Sequence, residues 1–185
     1  GLGASGTLLF FLALAGQLKR ITIAALIVGC LVATQRPVRE TAARALAALR
    51  ARLAATPLPA LIVGALAVAA CVTVAWTALY PPLQFDATMY HLPYAKAFAS
   101  EHGVRFIPEL RYPVFPQLFE ILFAGAMVLG SDLDAQLLHC LAYLLTALTL
   151  FAWGENLGST AAGAWAAAAW IGTPLVLFLA GAAYV

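Results

Sequence analysis

LPALIVGALAVAACVTVAWTALY, residues 58–80, carries no charge and closes on Trp76 and Tyr80. A hydrocarbon core about 30 Å thick needs on the order of 20 apolar helical residues to cross it, and aromatic side chains favour its edges. The stretch therefore reads as a membrane-spanning helix, and it sets the solvent in which the rest of the chain is read. The composition agrees. The 185 residues are 64% hydrophobic and 10% charged, with a mean hydropathy of +0.94. The apolar residues come in runs rather than in alternation, and their share exceeds the roughly 45–50% of soluble domains.

Downstream, LDAQLLHCLAYLLTALTLFAW (133–153) and TAAGAWAAAAWIGTPLVLFLAGAAYV (160–185) read as further spans, the second kinked at Pro174. Upstream, the runs 2–17 and 21–34 are short and separated by Lys19 and Arg20, which suggests a tight hairpin of two short helices. The expectation is an all-α, polytopic transmembrane protein. Residues 1–57 would form the N-terminal hairpin with a basic connector, and 58–185 would begin the main transmembrane domain. The sequence starts at Gly1 and stops at Val185 inside an apolar run, as a fragment would. No basic n-region followed by a small-residue cleavage site marks a removed signal peptide.

Five of the ten basic residues, Arg36, Arg39, Arg44, Arg50 and Arg52, lie in the connector 35–57 with a single acid, Glu40. The positive-inside rule places this connector in the cytoplasm. The spacing in RETAARALAALRARLAA also fits a basic amphipathic helix on anionic headgroups, although a plain solvated loop is the commoner reading. Residues 81–132 are then expected to emerge on the outer face of the membrane in a multi-pass chain. Six of the eight acids fall between 81 and 135, so the polar chemistry gathers there.

Several functions are disfavoured. Cys30, Cys71 and Cys140 sit in apolar runs without metal-ligand spacing and read as small buried hydrophobes. No glycine-rich phosphate loop, Ser/His/Asp order or C-x-x-C occurs. A net charge of +2, with the basic cluster beside the membrane, gives no support for nucleic-acid binding.

The outer segment DATMYHLPYAKAFASEH (86–102) has helical spacing, with Gly103 as a stop. Asp86, Tyr90 and Pro93 fall on one stripe, with His91 and Tyr94 beside it. VFPQLFEILFAGAMVLG (114–130) is too short to span and carries Gln117 and Glu120, so it reads as an interfacial or re-entrant helix. Pro108, Pro113 and Pro116 hold 104–116 extended. Each polar residue also has a plain reading. Asp86 fits an N-cap, His91 an interfacial hydrogen bond, and Arg105 and Arg111 headgroup contacts, with Glu120 pairing to either. His139 is either hydrogen-bonded between helices or part of a polar path.

The order of the pieces FDATMYHLPYAKAF, HG, LRYPVFPQLFEILF, LGSDLDAQLLHCLAYLLTALTL and AGAWAAAAWIGTPLVLFLAGAAYV resembles the membrane glycosyltransferases of the GT-C fold. The similarity is to the bacterial branch related to protein O-mannosyltransferases and the lipid A aminoarabinose transferase. It runs from about residue 58 to the end and rests on element order. The resemblance implies transfer of a sugar from a polyprenyl-phosphate donor to a lipid, glycan or protein acceptor in the cell envelope, with membrane lipids around it. It places the catalytic carboxylate on Asp86 and the following tyrosine on Tyr90, and best matches Arg111 and Tyr112 in the extended stretch.

Many relatives carry a second acid beside the first, where this chain has Ala87. That departure argues against a two-carboxylate site, assigns no metal ligand, and leaves a divalent cation as an open requirement. The chemistry needs a base at the acceptor hydroxyl and cations on the departing phosphate. Lys96, Arg105 and Arg111 are the available cations, and His91, Tyr112 and Glu120 complete the expected substrate-binding set. Two other classes stay open. A transporter or flippase would more often place charges near the bilayer midplane, where only His139 is at hand, and a non-catalytic scaffold subunit would need no site.

Overall fold

The computed structural model describes residues 2–55, 58–113 and 116–184. Among the described residues, eight α-helices and one π-helical turn follow in order: α1 (Leu2–Leu14), α2 (Arg20–Ala55), α3 (Leu58–Thr77), the π turn (Ala87–His91), α4 (Leu92–Glu101), α5 (Leu118–Leu129), α6 (Asp132–Leu157), α7 (Thr160–Gly172) and α8 (Pro174–Ala180). Among the described residues there is no strand. The all-α expectation holds at that level.

The polytopic expectation does not hold. Among the described residues only α6 is long and apolar enough to cross a membrane, or two spans if α7 and α8, bent by 66° at their break, are taken as one. The physical reason is length. The apolar helices Gly3–Leu14 and Leu118–Leu129 reach only about 18 Å at 1.5 Å per residue, against a core of about 30 Å. Of residues 58–80, read from sequence as a secure span, 58–77 are helical as α3.

The N-terminal hairpin also differs from expectation, because its second helix does not end at residue 34 but continues as α2 through the basic connector. The side chains that would make 41–55 amphipathic lie outside the described residues. Arg20, expected in the turn between the two helices of the hairpin, opens α2 and caps another helix. Its Nη2 and Nε donate to the carbonyls of Leu129 and Val128, at 2.9 and 3.3 Å. These are the last carbonyls of α5, which have no partner within the helix and carry its negative dipole end.

Two cores organise the molecule. The first surrounds α5 with α1 and α4, and its buried side chains include Leu9, Leu18, Tyr94, Phe98, Ile121 and Phe123. α5 is apolar around most of its circumference, which fits a helix buried on all sides as well as one in lipid. Here the first applies: residues 120–125 are all buried, so the expected interfacial helix is the centre of a core. The second core joins Val74 of α3 and Ala78 of the turn after it to Cys140 and Tyr143 of α6 and Ala180 of α8. Small residues bring its helices close. A Cβ on Gly154 would stand 2.7 Å from the Gly163 Cα, and one on Gly163 would collide with the Phe151 carbonyl. Buried Gln136 ties the end of α3 to α6, its Nε2 donating to the Tyr80 carbonyl at 2.7 Å.

The cysteines are not alike: Cys140 is buried, Cys71 half-buried and Cys30 exposed.

Candidate functional site

The helix expected over 86–102 has a break in its register. Residues 87–91 form a π turn in which the Leu92 amide donates to the Ala87 carbonyl, five residues back. Pro93 accounts for this. A proline has no amide proton and its ring crowds the carbonyl four residues earlier, and a widened turn relieves both. π turns of this kind concentrate at functional sites. At the far end the helix closes on His102, whose φ of 58° is left-handed. Gly103, expected to supply that turn, is needed for close approach instead: a Cβ there would lie 3.0 Å from the Ala13 carbonyl. His102 Nδ1 meets the Leu18 carbonyl at 3.1 Å, which pins the N-terminal loop to α4.

Asp86 stands at the N-cap position of the π turn, yet its side chain caps no backbone amide. Its carboxylate is held from elsewhere. The Tyr184 hydroxyl donates a hydrogen bond to Asp86 Oδ2 across 98 residues of sequence. That bond, with smaller contributions from desolvation and the Asp86 charge, pushes the Tyr184 phenol up to about 12. The Tyr90 phenol lies against the same carboxylate. Burial first, then the charge and hydrogen bonding of Asp86, raise it above the usual range. Tyr112 packs edge-on against Tyr90, with ring centroids 5.2 Å apart. Its φ of 56° is left-handed at a residue preceding a proline, where the backbone is normally extended. The site side of Asp86 is thus a cage of phenols.

His91 and Glu120, expected to meet substrate, are both buried. They meet each other instead: His91 Nδ1 and Glu120 Oε1 are 2.7 Å apart, the length of a charge-assisted bond. The outer atoms, His91 Nε2 and Glu120 Oε2, have no protein partner, and neither does His139 Nδ1. The His91 ring touches two of the three phenols of the cage, at centroid distances of 4.1 Å to Tyr90 and 5.6 Å to Tyr184.

The expected cations are dispersed. The Arg111 guanidinium stands 6.0 Å over the ring of Phe85, the residue next to Asp86, and is exposed. Arg105 pairs with Glu101, four residues earlier at the end of α4, at 3.1 Å, both side chains exposed, an arrangement worth little in water. Lys96 points into a separate cleft of about 460 Å³ with Thr88, Ser100 and Asp132. Another cleft, of about 270 Å³, opens beside Tyr184 and is lined by Phe119, His139, Tyr143, Trp170 and Leu179. Among the described residues no group of three or more His, Cys, Asp or Glu could hold a metal ion, so the divalent cation left open from sequence has no such cluster to bind.

The structure therefore gathers Asp86, Tyr90, His91, Tyr112 and Glu120, with Arg111 at the edge, and leaves Lys96 and Arg105 apart. Tyr184 is the member that sequence reasoning missed. It lies at the end of an apolar run, and nothing local ties it to Asp86.

No family model matches the chain, and no solved structure matches it. The chain is similar to an uncharacterized protein of Shigella flexneri, 35% identical over 74 residues, a match covering 40% of this chain and 37% of that protein. The matched part thus amounts to well under half of either protein.

Proposed function

We propose that this protein is a glycosyltransferase of the bacterial plasma membrane. It would move a sugar from a polyprenyl-phosphate donor to an acceptor hydroxyl, with Asp86 as the base. The observation that supports this reading most is the state of Asp86: a half-buried carboxylate that caps no helix and is held by phenols from two separate segments. A carboxylate in that setting has a fixed direction, which a base needs. Asp86 takes the proton of the acceptor hydroxyl as that oxygen attacks the anomeric carbon. The bond from that carbon to the donor phosphate breaks on the opposite side, the polyprenyl phosphate leaves, and the anomeric centre inverts. Arg111, exposed beside Phe85, is the nearest candidate to receive the phosphate charge. The apolar side chains exposed on α6 to α8, among them Leu148, Trp153, Trp165 and Phe178, suit contact with lipid.

The test is sugar transfer in membranes from cells expressing the protein, supplied with radiolabelled polyprenyl-phosphate sugars. Wild type is compared with Asp86→Asn at matched expression. Transfer by wild type and its loss in a folded Asp86→Asn variant, on the order of 100-fold or more, is the expected result. Transfer that survives the substitution overturns the role of Asp86. An inactive wild type with every lipid-linked donor counts against the reaction class.

A further inference from the structure

The buried pair beneath the cage has no obvious use in stability. Taking a histidine and a carboxylate out of water is costly, and a leucine pair of similar volume is often as stable or more so. Here the cost is compounded, because His91 Nε2 and Glu120 Oε2 are both buried without a protein partner, and such orphans call for an explanation other than packing. Glu120 does have a firm seat. It lies in the first turn of α5, where the helix dipole favours a negative charge, and α5 is the core of its half of the molecule. A rigid carboxylate at that point fixes the ring of His91 through the 2.7 Å bond to Nδ1. The ring in turn touches the two phenols that lean on Asp86. Four segments are thereby linked: α5, the π turn, the loop before it and the segment after α8.

We infer that His91 and Glu120 are positioning residues, which transmit the rigidity of α5 through the imidazole ring to Tyr90 and Tyr184 and so hold the Asp86 carboxylate in one orientation. The inference rests on the proposed role of Asp86 for its meaning in catalysis, but the geometry it describes stands apart from any activity. Without the pair, Tyr184 is free to leave Asp86 Oδ2 even though its own atoms and those of Asp86 are unchanged.

The decisive experiment is a titration of the Tyr184 ring by carbon NMR of labelled tyrosine, the signal assigned by its loss in Tyr184→Phe. In wild type the phenol should titrate well above its usual range, at about 12. In His91→Leu/Glu120→Leu it should fall towards the usual 10.0, while the protein melts at or above the wild-type temperature. His91→Gln keeps a hydrogen bond to Glu120 but removes the ring, and it should give the same fall; it carries the test if the double variant does not fold. A Tyr184 that stays near its wild-type value in either folded variant overturns the inference, whether or not sugar is transferred. Loss of fold in both variants also overturns it, since the pair would then be structural alone. Where transfer is measurable, kcat should drop on the order of 100-fold with the donor KM unchanged, the scale of a misplacement of about 1 Å.

Discussion

The two cores solve the same packing problem by opposite means. The first fills space with large side chains, Tyr94, Phe98 and Phe123 among them. The second closes distance with small ones: Gly154 meets Gly163, and Gly181 leaves no room for a side chain against Thr77. Bulk tolerates little loss, and close approach tolerates little gain. The candidate site lies on the seam between them. Tyr90, His91 and Glu120 rise from the first core, and Tyr184 comes from the segment after α8, whose Ala183 packs into that same core while Ala180 of α8 belongs to the second, so the Asp86 to Tyr184 bond closes where the two cores meet.

Substitutions can break that contrast in graded steps. The largest effect is expected from Phe123→Ala, which empties the centre of the first core and should cost about 3–5 kcal/mol, read as a lowered midpoint of chemical unfolding. Next comes Gly163→Val. Overfilling of this kind costs about 1–3 kcal/mol and should splay α6 from α7. Trp170, whose ring N–H donates to the Tyr143 carbonyl at 3.1 Å, should report the change by fluorescence. A valine at Gly163 that leaves both stability and fluorescence unchanged would remove close approach as the principle of the second core.

The smallest effect tests the seam itself. A tyrosine whose phenol is raised from 10.0 to about 12 in the folded protein holds its proton more tightly there than in the unfolded chain. Its contribution to stability is therefore complete below pH 10 and is lost as pH rises through about 12. Tyr184→Phe should flatten the fall of stability across that window and leave the neutral range nearly unchanged, as followed by unfolding at stepped alkaline pH.

Much of the secondary structure was legible, because apolar runs and their breaks mark helices. Residues 58–77, 118–129 and 132–157 are helical where the pattern says so. Environment was not legible. An apolar run of 12 residues such as 118–129 looks the same whether lipid or protein surrounds it, so the sequence reads it as interfacial or re-entrant and does not show that residues 120–125 are buried in a protein core. The continuation of α2 past Gln35 was hidden because charged residues with good helix propensity also fit a solvated loop. In the site, Asp86 and Tyr90 were visible as a stripe four residues apart. The local pattern favoured a cap for Asp86, since capping depends only on neighbours, while its actual partner is 98 positions away. The pairing of His91 with Glu120, 29 positions apart, was hidden for the same reason: Glu120 was matched to the arginines by charge, when distance selected the histidine.

The closure of α5 by Arg20 bears on the order in which the chain can fold during synthesis. The helix that ends at Leu129 finds nearly all its partners already made, since α1, the start of α2 and α4 all precede it, and of the buried residues in its core only Ala135 and Ala183 follow. A nascent chain released to residue 129 thus holds almost the whole first core, with the C-terminal carbonyls of α5 already satisfied by Arg20, before any of α6 to α8 has emerged. Vectorial synthesis favours such early closure. The seam that holds Asp86 can form only when Tyr184 arrives, so the candidate site is among the last parts of this segment to be assembled.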